Sequence, residues 1–156
     1  MKLYTLNKTQ ILPIGLCECW NFFSNPSNLE QITPPELGLK VKSETADKMY
    51  AGMIIEYDVT PLAGIKQTWV TEITQVDYLN YFIDEQRFGP YKFWHHQHKF
   101  KKLSDNTTQA IDIVNYSLPL DPVSRIINNL FISKQLNRIF EFRKQVLEKM
   151  FGSIPC

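Results

Sequence analysis

From Leu39 to Leu118 the chain alternates apolar and polar residues with a period of two, in six runs joined by very short segments. Side chains of an extended strand point alternately to its two faces, so each run reads as a strand with one buried side. Parallel pairing needs a crossover connection of a dozen or more residues, and these segments have no room for one. The runs must therefore pair antiparallel, as a meander. The expected strands are Leu39–Glu44, Met53–Pro61, Ile65–Val76, Leu79–Phe88, Tyr91–Leu103 and Thr107–Leu118. The turns fall at Ala51-Gly52, Ala63-Gly64, Val76-Asp77, Gly89-Pro90 and Ser104-Asp105-Asn106.

Leu3 to Ile11 adds a first strand, giving seven. Pro13 suits the opening of a helix whose stripe is Leu16, Cys19, Trp20 and Phe23. Asn25-Pro26 ends it, Ser27 with Glu30 reads as a capping box for a second short helix through Ile32, and Thr33-Pro34-Pro35 stops that one. After the strands, Asp121-Pro122 supplies an N-cap and first-turn proline for a long helical tract ending at Gly152. Wound at about 100° per residue, Val123, Ile126, Ile127, Leu130 and Phe131 share one side, while Leu136, Ile139, Phe140, Val146, Leu147 and Met150 gather opposite. The tract should therefore kink near 132–134 or divide into two helices of different burial. The fold class is α+β: a seven-stranded curved antiparallel sheet around a long C-terminal helix, with two short helices after the first strand.

The 156 residues suffice for one core without disulfide or metal staples, and residues 1–152 read as one domain with 153–156 a frayed tail. A formal net charge of +1 provides no broad positive field, so a nucleic-acid partner is not expected. The N-terminus lacks the apolar run of a signal peptide, and no stretch reaches the length of a membrane span. A cytoplasmic protein without integral membrane association is the expectation. Three cysteines cannot all pair within one chain, so reduced thiols are expected, with Cys19 a small buried hydrophobe. Trp20 and Phe23 read as core, and Lys99, Lys101 and Lys102 as a solvated strand edge.

Tyr91 to Leu103 carries the sharpest contrast between faces. His95, Gln97, Lys99 and Lys101 lie on one side, with Trp94, His96, His98 and Phe100 on the other. The first set belongs in water, so His96 and His98 must turn inward with the aromatics. The same reasoning turns Met53, Ile55, Tyr57 and Val59 inward, then Trp69, Thr71 and Ile73, then Phe82, Asp84 and Gln86. A hairpin symmetric about Pro90 sets Asp84 opposite His96 and Gln86 opposite Trp94. One centred near Asp105 sets Asp112 opposite His98, Val114 opposite His96 and Tyr116 opposite Trp94. Arg143 falls on the apolar side of the last helix, where its charge needs a carboxylate such as Asp112 or an anionic ligand.

Thr33-Pro34-Pro35, Trp69-x-Thr71-x-Ile73, Asp84-x-Gln86-x-x-Gly89-Pro90-Tyr91-x-x-Trp94-x-His96-x-His98-x-Phe100, Asp112-x-Val114-x-Tyr116 and Ile139-Phe140-x-x-Arg143 resemble bacterial members of the START-like, or SRPBCC, superfamily. The resembling branch is labelled as ligand-binding or as cell-division inhibitors, and no residue here supports the second label. The resemblance spans nearly the whole chain and implies a helix-grip fold with a cavity between sheet and helix. Relatives use that cavity for lipids, sterols, hormones, quinones or polyketides, some as carriers and some as aromatases or cyclases.

Three roles for Asp84, His96, His98 and Asp112 stay open: a polar network fixing strand register, a cavity wall that orients a ligand, or a general acid–base pair. Expected ligand-binding residues are Tyr57, Trp69, Asp84, Gln86, Trp94, His96, His98, Phe100, Asp112, Tyr116 and Arg143, taking a small apolar or amphipathic molecule. The rival functions are a cyclase or dehydratase-type enzyme and a protein-interaction module. No cofactor is expected. His96 and His98 offer two metal ligands where zinc takes three or four with outer support, so no metal is expected either.

Overall fold

A computed structural model describes residues 2–43, 46, 48–62, 65–119, 126–127 and 131–153. The end of the expected second strand at Glu44, the Ala63-Gly64 turn, the Asp121-Pro122 helix start, Val123, Leu130 and residues 154–156 lie outside these.

Seven strands form one antiparallel sheet: β1 (Tyr4–Leu12), β2 (Lys40–Val41), β3 (Ile54–Leu62), β4 (Ile65–Asp77), β5 (Tyr81–Phe88), β6 (Phe93–Ser104) and β7 (Thr107–Ser117). Their order is β1-β7-β6-β5-β4-β3-β2, so β2 to β7 make the expected meander and β1 returns beside β7. The second strand is shorter than expected, because only Lys40 and Val41 pair with β3. Leu79 takes a left-handed φ of 68° in the turn before β5, so that strand starts at Tyr81. Register shifts between Val59 and Leu62, and at two places along the β4–β5 pairing, bend the sheet as bulges do.

The inward rows follow the alternation. Met53, Ile55, Tyr57, Val59, Thr71, Ile73, Phe82, His96 and Phe100 are all buried. Helix α1 (Leu16–Phe23) buries Cys19 and Trp20, and the Trp20 ring meets Phe82 and Phe100 edge to face. Two sequence expectations fail here. Pro13 precedes the helix rather than opening it, because Gly15 occupies the N-cap. Ser27 is not a cap: Asn25 accepts from the Ser27 N–H at 3.0 Å and starts a 3₁₀ turn, Pro26–Leu29. Glu30 is thereby free to accept from the Val41 N–H at 2.7 Å, which ties this turn to β2.

Helix α2 (Ser133–Phe151) lies across the concave face. It buries Leu136, Phe140, Arg143 and Leu147, spaced at the intervals that keep side chains on one stripe. The discontinuity expected near 132–134 falls at a π-helical pair, Phe131–Ile132. Ile126 and Ile127 before it and Phe131 within it are exposed while Ile132 is buried, so burial does differ across the boundary. Two apolar clusters anchor α2. One joins Leu147 to Trp20, Phe82 and Phe100, and the other joins Leu136 and Phe140 to Val114 and Tyr116.

Leu147 is 1% exposed, and its removal leaves a hole that the sheet cannot close. Leu147→Ala should lower unfolding free energy by about 2–5 kcal/mol in chemical denaturation. A loss under about 1 kcal/mol would mean that the sheet does not grip the helix there.

Candidate functional site

On β6 the inward row runs Trp94, His96, His98, Phe100, so the two imidazoles sit between the two apolar clusters. The flanking strands supply the carboxylates. Asp84 of β5 is register partner to His96, and Asp112 of β7 to His98, as the hairpin symmetry predicts. Val114 opposite His96 and Tyr116 opposite Trp94 also match. Gln86 does not pair with Trp94, because the β5–β6 ladder ends at Glu85 and His95. Its amide instead holds the turn, donating to the Tyr91 carbonyl at 2.6 Å and accepting from the Tyr91 N–H at 3.2 Å.

The shortest bonds run diagonally rather than along the register. His96 Nε2 meets Asp112 Oδ1 at 2.8 Å, and His98 Nε2 meets Asp84 Oδ2 at 2.8 Å. Register fixes where Cα atoms lie, but side chains reach along the sheet to their diagonal neighbours. Longer contacts close the square: His96 Nδ1 is 3.4 Å from Asp84 Oδ2, and His98 Nδ1 is 3.2 Å from Asp112 Oδ1. The two rings lie 3.7 Å apart between centroids, and His98 also stacks on Phe82 at 4.2 Å. Trp94 Nε1 donates to Asp84 Oδ1 at 3.3 Å. From α2, Arg143 brings Nη1 to 3.6 Å from Asp112 Oδ1 and lays its guanidinium over Phe140. Arg143 is 7% exposed, and its Nε and Nη1 make no hydrogen bond.

Burial alone would lift both carboxyl groups, but the imidazoles beside them outweigh it, so Asp84 and Asp112 are held below the usual carboxylate range. The imidazoles diverge. Burial pushes His96 down, helped by the neighbouring His98, and its carboxylates do not fully compensate. Burial also opposes charge on His98, yet Asp112 and Asp84 overcome it and raise this ring. Of the two rings, His98 is therefore the one whose charged form the carboxylates favour, with the Arg143 guanidinium as a second positive group near Asp112. Elsewhere, burial pushes the Cys19 thiol up to about 12, which keeps it protonated and inert.

A cavity of ≈ 170 Å³ lies between sheet and helices. Of the residues expected from sequence, Tyr57, Trp69, Asp84, Trp94, His96, His98 and Arg143 line it. Asp112 sits behind His96 and His98, on a second cavity of ≈ 120 Å³ that shares Arg143 and Phe140 with the first. Gln86, Phe100 and Tyr116 are not in the larger cavity's wall. Phe100 packs in the core against Trp20 and Phe82, and Tyr116 stacks on Tyr4 at 5.5 Å. Sequence reasoning missed Tyr91, whose ring meets Trp94 at 4.7 Å, and also Leu136, Ile139 and Phe140 of α2. The alternation that marks strand faces says nothing of which helical turn lies above them.

Removing one carboxylate should strand positive charge in the interior. Asp112→Ala is expected to cost about 3–5 kcal/mol in denaturant unfolding. A loss within about 0.5 kcal/mol, as at an ordinary surface position, would contradict a buried ion network. The pH dependence has a definite sign, because Asp84 and Asp112 flank His98 and outweigh its burial, with the His96 ring beside it and Arg143 beyond Asp112. A raised His98 binds a proton in the folded state that the unfolded chain has released, so its contribution is complete below about pH 6.5 and is lost as pH rises through its folded-state value. Unfolding free energy should therefore fall as pH rises above about 6.5 in the wild type, more steeply than in His98→Gln. Equal slopes would contradict the assignment. The depressed Asp84 and Asp112 contribute above the usual carboxylate range, and that contribution disappears as pH falls through their lowered values.

No protein-family model and no curated protein sequence matches the chain. Solved structures do. A START superfamily protein from Mycobacterium smegmatis is similar with a TM-score of 0.71 at 11% identity, covering 94% of this chain and 98% of the other. The Zhui aromatase/cyclase from Streptomyces sp. R1128 has a TM-score of 0.68 at 11% identity, covering 98% and 100%. A norcoclaurine synthase point mutant from Thalictrum flavum, in complex with a transition state analogue, has a TM-score of 0.66 at 11% identity, covering 96% of each chain. No described helix is long and apolar enough to cross a membrane. With its seven-stranded antiparallel sheet, bulged and curved about α2, this chain has the helix-grip fold of the START-like superfamily.

Proposed function

We propose that the chain is a cytoplasmic binding protein for one small apolar or amphipathic molecule, held in the larger cavity. The observation that carries this reading is how charge is distributed in the wall. Among the described residues, every Asp, Glu, His, Lys or Arg of that wall is Asp84, His96, His98 or Arg143, all joined in one cluster. The rest is dominated by aromatic and aliphatic side chains, including Trp69, Tyr91, Trp94, Ile55 and Phe140. A volume of ≈ 170 Å³ far exceeds the roughly 10–15 Å³ that one water requires. Apolar walls with a few convergent polar groups are what a small organic guest needs: area for its body and orientation for its polar end. Proteins of similar fold include an aromatase/cyclase and a norcoclaurine synthase that holds a transition state analogue, which supports a small organic guest.

A second reading rests on a separate observation. His96 and His98 both line the cavity, and each is held at 2.8 Å by a carboxylate. An imidazole so oriented can remove or return a proton on a bound guest, as a cyclase or dehydratase-type reaction requires.

Native mass spectrometry of the purified chain should show a co-purifying small molecule. Titration with an environment-sensitive apolar fluorophore should saturate at one site. Trp94→Ala should weaken that binding about 10- to 100-fold by removing buried ring area. Absence of both adduct and saturable binding would contradict the proposal. On the carrier reading His96→Ala weakens affinity alone, whereas on the enzymatic reading it abolishes turnover while a guest still binds.

A further inference from the structure

We propose that Asp84, His96 and His98 form a binding site for one divalent transition-metal ion of the zinc class, opening on the larger cavity. Sequence alone showed two candidate ligands on one strand. The fold adds the third from the neighbouring strand and outer support from the strand on the other side.

Three observations converge. The first is spacing: one donor atom from each of Asp84, His96 and His98 lies within 4.8 Å of the others. Asp84 Oδ2 is 2.8 Å from His98 Nε2 and 3.4 Å from His96 Nδ1. Around an ion with bonds of about 2.0–2.1 Å, adjacent ligand atoms sit roughly 3.0–3.4 Å apart. The two Asp84 distances already lie within a few tenths of an ångström of that range, and the imidazole nitrogens close on the ion by side-chain rotation.

The second observation is the far side of each ring. A metal-bound imidazole characteristically gives its other N–H to a carboxylate or carbonyl, which fixes the tautomer and ring orientation. Here Asp112 Oδ1 lies 2.8 Å from His96 Nε2 and 3.2 Å from His98 Nδ1, so one carboxylate backs both rings. His98 Nδ1 makes no aligned hydrogen bond despite its burial, so the present arrangement leaves this nitrogen short of a partner. A small ring rotation toward an ion at Nε2 would aim Nδ1–H at Asp112. Trp94 Nε1 meanwhile holds Asp84 Oδ1 at 3.3 Å and leaves Oδ2 to the imidazole side.

The third observation is access. Asp84, His96 and His98 line the larger cavity, whereas Asp112 does not. Three protein ligands in front and a carboxylate behind leave an open coordination position directed at the guest's space, the pattern of zinc sites that bind an exchangeable molecule. Two imidazoles and a carboxylate suit zinc or another late first-row divalent ion, not calcium or magnesium, which take oxygen shells. His95, on the opposite face of β6, is excluded from the site.

The proposal shares the cavity with the organic guest without depending on it. Metal uptake is measured with no guest present, so either reading can fail while the other stands.

The test uses the full chain stripped with a chelator and dialysed against Zn²⁺. The wild type should take up one Zn²⁺ per chain, with the imidazole ¹⁵N resonances of His96 and His98 displaced and those of His95 unmoved. Substituting Co²⁺ should give visible d–d absorption. Asp84→Asn, shown folded by circular dichroism, should lose stoichiometric uptake, and Asp112→Asn should weaken affinity about 10- to 100-fold. His95→Ala should change nothing. Absence of stoichiometric uptake by the wild type, displacement of His95 resonances instead, or undiminished uptake by folded Asp84→Asn would each overturn the site. The wild-type resonances decide the matter even where a variant fails to fold.

Discussion

Two carboxylates and two imidazoles are largely withdrawn from water on one sheet face between apolar clusters, and this is acceptable only because they pair with one another. A buried ion without a partner loses several kcal/mol of hydration. The Asp–His square returns much of this, but only in one register: β5, β6 and β7 must align so that Asp84, His96, His98 and Asp112 coincide. A slip of two residues would keep every hydrophobic side chain facing inward and still break both 2.8 Å bonds. The polar square thus selects among alignments that apolar burial alone treats alike.

Register in turn places the helix and the hollow beneath it. Trp94 and Phe100 flank the imidazoles along β6 and belong to different apolar contacts, one beside Tyr116 and Phe140, the other with Trp20 and Phe82. Helix α2 touches both clusters, through Leu136 and Phe140 at one end and Leu147 at the other. Between these anchors, Arg143 approaches Asp112, and the curvature introduced by the bulges leaves unfilled space. Rings too large to interdigitate fully, such as Trp69, Tyr91 and Trp94, meet edgewise or tilted and wall that space.

The strand pattern was the legible part, because an alternating residue declares its face. Met53, Ile55, Tyr57 and Val59 turned inward as read, and turn symmetry alone placed Asp84 against His96 and Asp112 against His98. Reading failed where a local group had two possible partners. Glu30 could have bonded back to its own turn but bonds to β2, and Gln86 could have faced Trp94 but secures Tyr91. The diagonal crossing of the Asp–His bonds was also hidden, since register fixes backbone positions and not the lean of side chains. The helical wall was least visible. Leu136, Ile139 and Phe140 declared a buried stripe, but nothing in their spacing told which strand residues they would face across a cavity.

The central claim is that one face of β6 carries two inward imidazoles whose surroundings pull them apart, His98 toward its charged form and His96 toward its neutral one. Imidazole ¹⁵N and ¹H spectra of the metal-free chain, recorded across the neutral pH range, measure this directly. His98 should retain both ring protons to higher pH than His96, the first because two carboxylates hold its charge and the second because burial resists charge. Coincident titrations at the usual imidazole value of about 6.5, or exposed rings in fast exchange with solvent, would contradict it.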